Sequence, residues 1–158
     1  MLPINIGIAG CLGKMGKELI KEIISDTRLN FIGGFEHPDH KNINIKISDL
    51  IDVVTDKVVS DNSEKIFSNS DVVIDFTTPE STLENVQIAS KQNTAVVIGT
   101  TGLDSKIIDE IKKNSKNIAI LQSYNMSVGV NLLFHLVEKA AATLENNEYD
   151  IEISETHH

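Results

Sequence analysis

Apolar residues in this chain fall into short unbroken runs separated by longer stretches with helical spacing. Ile4 to Ala9, Phe31 to Phe35, Val72 to Ile74, Ala95 to Ile98 and Ile118 to Leu121 are too short for helices and read as buried strands. Between the first two, Met15, Leu19, Ile20, Ile23 and Ile24 recur at helical intervals from Lys14 onward, with Lys and Glu on the other face. Pro79 fits the first position of a helix capped by Thr78 and running to about Lys91, with Leu83, Val86 and Ala89 turned inward. Another helix is predicted from about Ser105 to Asn114. Lys57-Val58-Val59 predicts a short strand, and Asn62 or Ser63 a cap for a short helix through Phe67. Residues 37–57 are the least regular: His37 to His40 reads as a turn, and Ile43 to Val54 as a short helix or an edge element. Strand and helix signals that alternate in this way predict an α/β fold with a parallel sheet.

The tail has a different pattern. Leu132, Leu133, Leu136, Val137, Ala140, Ala141 and Leu144 predict a long helix over Val128 to Leu144. Residues 150–155 then alternate with period two, as a strand with one apolar face does. A lone strand has no ladder partner, so it must pair with another chain or with further sequence of its own sheet.

The first strand hands over to the first helix through Gly10-Cys11-Leu12-Gly13-Lys14-Met15-Gly16. Gly10 suits the tight turn, Gly13 leaves no side chain between backbone and a pyrophosphate, and Gly16 allows close packing of helix on strand. Helix N-terminal amides and the helix dipole favour an anion at this point. The spacing is GxxGxxG, with Leu12 where a middle glycine is commoner. Glu36 ends the next apolar run, about 20 residues past the last glycine, where an acid that binds ribose hydroxyls belongs. Loop, helix and acid together predict a Rossmann-like dinucleotide-binding sheet. Asp75-Phe76-Thr77-Thr78-Pro79, Gly99-Thr100-Thr101-Gly102 and Ser123-Tyr124-Asn125-Met126-Ser127 are small polar segments at three further strand ends, and should share the same rim. Cys11, inside the loop, is read as a small residue lining the turn, because no base is implied beside it. His135 reads as a packing or surface residue.

Length and charge narrow the partners. At 158 residues the chain holds one full domain but not two. Its net charge of −9 argues against nucleic acid or an anionic membrane surface as partner, while a small anionic ligand can still enter a locally positive pocket. No apolar run is long enough to span a membrane, and Met1 leads almost directly into the first strand, so no signal peptide is expected. A single cysteine excludes an intrachain disulfide and suits a reducing cytoplasm.

The motifs IAGCLGKMG, DVVIDFTTPE, VVIGTTG, NMSVGVNLL and DIEISETHH, in this order, resemble those of the dihydrodipicolinate reductase family, along the chain from Ile4 to His158. The resemblance implies a dinucleotide-binding domain over 1–126. Residues 127–158 would begin a second α+β domain for substrate binding and oligomerisation. It implies NADH or NADPH as cofactor and hydride transfer to an unsaturated cyclic dicarboxylate in lysine and diaminopimelate synthesis. Gly10 to Met15 would hold the pyrophosphate and Glu36 the adenine ribose. Phe76 and Thr77 would lie near the nicotinamide ribose, and Gly99, Thr100 and Thr101 at the nicotinamide, with Thr101 also near substrate. Ser123, Tyr124, Asn125 and Met126 would close the cofactor site at an interdomain hinge. His157 would be the proton donor and His158 a contact for a substrate carboxylate, native residues rather than the stub of a tag.

Two departures from the family pattern follow. The lysine and the D-A-P-S-G-T segment that come after the histidine pair in the family are not in these residues. The chain is therefore expected to be a C-terminally truncated copy that binds cofactor and turns over little, and the family's homotetramer is in question for it. Second, His37 stands where an arginine would help hold a 2′-phosphate, and Glu36 would repel that phosphate, so NADH is expected to bind at least as well as NADPH. The competing readings are a stand-alone NAD-binding regulatory module, which would not need His157, and a non-functional truncated product.

Overall fold

The computed structural model describes residues 2–144, 149–154 and 156. They divide into two compact units, Met1–Tyr124 and Asn125–His158.

The first unit is built on six parallel strands: β1 (Ile4–Ala9), β2 (Leu29–Phe35), β3 (Val59–Ser60), β4 (Val72–Asp75), β5 (Ala95–Ile98) and β6 (Ile120–Gln122), in the order β3-β2-β1-β4-β5-β6. The chain winds outward from β1 in one direction and then, from β4, in the other, so the order reverses between β1 and β4. Such a reversal leaves a crevice beyond the carboxyl ends of the two strands. The register makes those ends level: Ala9 pairs with Phe35 on one side and Asp75 on the other, Asp75 with Ile98, and Ile98 with Gln122.

Helices cover both faces, which is why the strands carry unbroken apolar runs. On one face α2 (Ser63–Ser68), α3 (Pro79–Gln92) and α4 (Ser105–Asn114) close a core of Phe35, Phe67, Val73, Val86, Val96, Ile98 and Ile111. On the other, α1 (Lys14–Ser25) and the segment around a 3-10 turn at Ile47–Asp49 bury Ile8, Ile20, Ile23, Phe31, Ile47 and Val59. Thr78 and Asn62 are caps the sequence offers, and Asp104 joins them. Thr78, Asn62 and Asp104 accept backbone N–H groups of Ser81, Lys65 and Ile107, and Asn93 ends α3 in the left-handed conformation at φ 56°.

Three expectations shift. The last strand starts at Ile120, not Ile118, because Ile118 still belongs to the turn leaving α4, its N–H bonded to the Asn114 carbonyl. The Lys57–Val59 strand becomes Val59–Ser60, while Val58 makes only an isolated antiparallel bridge with Lys46. The inward face of α3 is more polar than its spacing implied: Thr82 and Asn85 are buried beside Val86 and Ala89, and Leu83 only partly.

The second unit holds α5 (Val128–Leu144), tied at its start by Asn131 Nδ2, which donates to the Asn125 and Ser127 carbonyls at 3.0 and 2.9 Å. The strand expected over 150–155 does not form in the described residues 150–154, which have no ladder partner to satisfy their backbone. Residue 155 lies outside the described residues.

Candidate functional site

The glycine loop begins where β1 stops. Gly10 adopts φ +66°, a conformation L side chains rarely take, and a Cβ there would come within 2.8 Å of Thr77 Cγ2. Its N–H and that of Cys11 donate to the Phe35 carbonyl at 3.0 and 3.4 Å, which closes the turn onto β2. A Cβ on Gly16 would overlap the Gly10 carbonyl, so the loop lies directly on the first turn of α1. Gly13 is the N-cap of that helix and supplies no capping side chain, and the first turn contains no acid. Helix geometry leaves the leading amides without intrahelical acceptors, and no carboxylate of the first turn competes for them.

Glu36 reaches back to this loop, where its Oε1 accepts the Leu12 N–H at 2.7 Å. The carboxylate is thus fixed at the mouth of a 490 Å³ cleft that Gly10, Gly13, Phe35, Glu36, His37, Phe76 and Thr77 line. The far wall, which the sequence reading missed, comes from Asp61 and Ser63 ahead of and in α2, and from Ser81, Glu84, Asn85 and Ile88 of α3. Asp61 and Glu84 add two acidic groups to Glu36, and His37 is the only basic side chain among the lining residues. It is exposed, with Nδ1 turned to its own turn, accepting the Asp39 N–H at 3.3 Å.

A second cavity of 370 Å³ adjoins the first and shares Phe76 and Thr77 with it. Lys14 and Met15 from the start of α1 line it, opposite Gly99, Thr100 and Thr101 from the end of β5. Phe76 lies so close to Gly99 that a Cβ there would run into its ring. Beneath the shared wall is a buried polar cluster. Asp75 Oδ1 accepts the Thr77 N–H at 3.0 Å and hydroxyl at 2.6 Å, and Asp75 Oδ2 accepts Asn85 Nδ2 at 3.0 Å. The Thr100 hydroxyl meets the Thr77 N–H at 3.0 Å, the Thr82 hydroxyl at 2.8 Å and Asp75 Oδ1 at 3.4 Å.

The structure sorts the remaining candidates. Leu12 lines neither cavity, and Cys11 is fully buried, packed over Gly34, where a Cβ would overlap its own. Burial above all, and next the charge of Glu36, push the Cys11 thiol up to about 12. It stays protonated and unreactive at neutral pH. Ser123 and Tyr124 follow β6, the Ser123 N–H donating to the Ile98 carbonyl at 3.1 Å. Asn125 and Met126 belong to the second unit. His157 and His158 lie outside the described residues. Among the described residues no cluster of three or more acidic, histidine or cysteine side chains could hold a metal, and no helix is long and apolar enough to cross a membrane.

A dinucleotide fits this arrangement. Two connected cavities run along the level strand ends, an acid is fixed at the outer one, and side-chain-free backbone stands at the helix N-terminus between them. Comparison with known proteins agrees. The family model described as dihydrodipicolinate reductase, N-terminus, matches residues 4–126. The 4-hydroxy-tetrahydrodipicolinate reductase of Wolbachia sp. subsp. Drosophila simulans (strain wRi) is 43% identical over 157 residues, 99% of this chain and 58% of that protein. The enzyme of the same name from Pelagibacter ubique (strain HTCC1062) is 43% identical over 159 residues, 100% of this chain and 57% of its own length. The chain therefore spans a little under three-fifths of these relatives. Among solved structures, a dipicolinate-bound dihydrodipicolinate reductase from Paenisporosarcina sp. TG-14 superposes with a TM-score of 0.73 at 24% identity, over 89% of this chain and 54% of that one. A protein solved with beta-NADH shares the fold at a TM-score of 0.59 and 14% identity, over 89% of this chain and 61% of that one. The chain belongs to the dihydrodipicolinate reductase family of NAD(P)H-dependent oxidoreductases, and residues 4–126 are the family's N-terminal, Rossmann-like part.

Proposed function

We propose that the protein reduces 4-hydroxy-tetrahydrodipicolinate to tetrahydrodipicolinate, and that the residues described here seat its NADH or NADPH. The observation that carries this reading is the pair of cavities joined at Phe76 and Thr77 above the ends of β1, β4 and β5. Their sizes and order match a nucleotide with an adenine ribose at Glu36, a pyrophosphate at Gly10 to Met15 and a nicotinamide toward Gly99, Thr100 and Thr101.

The cofactor supplies a hydride. The chain's residues would hold it, with Glu36 at the adenine end and Gly99, Thr100 and Thr101 at the nicotinamide end. The 4-hydroxyl of the substrate leaves as water, and the unsaturated ring that remains would accept the hydride at one carbon; by family resemblance His157 donates a proton from its imidazole to the neighbouring carbon, His158 and Thr101 hold the substrate, and Ser123 to Met126 complete the cofactor site. A dianionic dicarboxylate beside His157 would favour its protonated form. The relatives are longer, and residues 1–158 by themselves are expected to bind cofactor but turn over substrate weakly. A cytoplasmic setting and a homotetramer of the whole protein go with this reading.

Gly13→Asp tests it. An aspartate at an N-cap stabilises a helix, and φ −64° suits an L side chain, while its Cβ would stand 3.2 Å from the Gly10 carbonyl oxygen and require a small shift there. It also places a carboxylate where the pyrophosphate belongs. The variant is expected to stay folded, as its thermal unfolding checks, and to lose NADH binding in a fluorescence titration. Parent-like NADH affinity in Gly13→Asp, or a parent chain that does not bind NADH at all, would overturn the proposal.

A further inference from the structure

We infer that Asp75 is a positioning residue for the nicotinamide end of the cofactor. Its carboxylate does not line either cavity, yet it fixes the two segments that do. The inference rests on the cofactor reading above.

Asp75 is fully buried at the last position of β4. A carboxylate in such a place ordinarily has a cationic partner, because burying an unpaired charge is costly. Here every donor the structure gives it is neutral: the Thr77 N–H and hydroxyl, the Thr100 hydroxyl and the Asn85 amide. They come from three elements that are separate in sequence. Thr77 follows β4, Thr100 follows β5, and Asn85 sits in the middle of α3. The carboxylate therefore locks the two strand ends to each other and to the helix beneath them. Thr100 reinforces the lock, since its hydroxyl also meets the Thr77 N–H and the hydroxyl of Thr82, itself fully buried. Phe76, between the anchored Asp75 and Thr77, packs against Gly99, and Thr77, Thr100 and Thr101 form the wall of the second cavity. A hydrophobic residue in place of Asp75 would pack a β4 end as well. The sequence instead places a buried carboxyl group here, and its bonds fix the relative position of the two loops on which the nicotinamide would rest.

This account predicts that the acceptors of residue 75 matter, not only its bulk. Asp75→Leu fills the space but takes the acceptors from the Thr77 N–H, the Thr77 and Thr100 hydroxyls and the Asn85 amide. Asp75→Asn keeps the lock: its carbonyl accepts from Thr77 and Thr100, and its N–H donates to the Asn85 carbonyl once that amide turns over.

The test is saturation-transfer NMR of NADH on the 158-residue chain, which reads nicotinamide and adenine protons of one ligand separately. If the parent chain transfers saturation to neither end, the cofactor reading itself has failed. If the parent binds, Asp75→Leu is expected to lose most of the nicotinamide signal and keep the adenine signal, and Asp75→Asn to keep both. In variants that unfold at the parent's temperature, three results overturn the inference: parallel loss at both ends in Asp75→Leu, no loss at either, or an equal loss of the nicotinamide signal in Asp75→Asn. If Asp75→Leu does not fold, Thr82→Val decides. It removes one hydroxyl bond to Thr100 from a residue that lines neither cavity, and an unchanged nicotinamide-to-adenine ratio there refutes the inference.

Discussion

Cys11 shows how tightly one side chain is committed inside the phosphate turn. Its thiol is packed over Gly34, whose lack of a Cβ makes the space, and its N–H is bound to the Phe35 carbonyl. Burial, then the charge of Glu36, raise its pKa from 9.0 to about 12. A group that holds its proton more firmly when folded stabilises the fold fully below the unfolded value and loses that contribution as pH rises to the folded one. The parent's unfolding midpoint is therefore expected to fall more steeply between pH 9.0 and about 12 than that of Cys11→Ala. Equal slopes in denaturant titrations across that range would contradict it. Gly34→Ala should cost about 1–3 kcal/mol by overpacking the same contact, read from urea unfolding. The sequence marks Cys11 as a small, unreactive loop residue. That its side chain turns away from the turn, into the core, depends on Gly34 of the neighbouring strand, which no local pattern reveals.

At the level of elements, the chain reads clearly at the starts of α2 and α3, and α4 begins in the same way. Thr78, Asn62 and Asp104 each cap a helix through the bond their side chain was suited to make. For α4 that bond runs from the Ile107 N–H to Asp104 Oδ1 at 2.9 Å. Asp104→Ala is expected to cost about 1 kcal/mol, with Asp104→Asn costing much less, in thermal or urea unfolding. Strands are legible as apolar runs, but their ends are not. Ile118 is as apolar and as buried as a strand residue, and only its bond to the Asn114 carbonyl keeps it in the turn. The buried face of α3 hid more. Thr82 and Asn85 look like surface residues until the strand ends above them provide partners, so the Asp75 cluster was invisible to any reading of one element at a time. The alternation at 150–154 shows the opposite error: a period-two pattern states which residues could share a face, not that a neighbouring strand exists.

For the molecule as a whole, the glycine loop, Glu36 and the polar strand ends pointed to the rim where the two cavities lie, because a parallel sheet gathers all its carboxyl ends on one rim. The acidic far wall was not legible, since Asp61 and Glu84 come from elements with no motif of their own. Together with Glu36 they give the outer cleft three carboxylates and one exposed histidine. NADH should bind at least as tightly as NADPH at low ionic strength, and added salt should narrow the difference by screening the 2′-phosphate from these charges. Competitive titrations at two salt concentrations check this, and a clear NADPH preference at low salt would refute it.

The reversal of strand order has a further consequence, in time rather than space. Ile6 lies beside Val72, and Asn5 donates its N–H to Asp71, 66 residues away. The two central strands of the sheet are thus joined by a late, non-local event, with all of β2, β3 and α2 lying in the loop that it closes. A growing polypeptide can finish β1, α1 and β2 early, but half of the nucleotide cradle is still unmade until β4 and β5 have left the ribosome. On the proposed reading a dinucleotide would then bridge the two halves like a clasp. It would be recognised only by a chain that has already joined them, and once bound, it would oppose their separation.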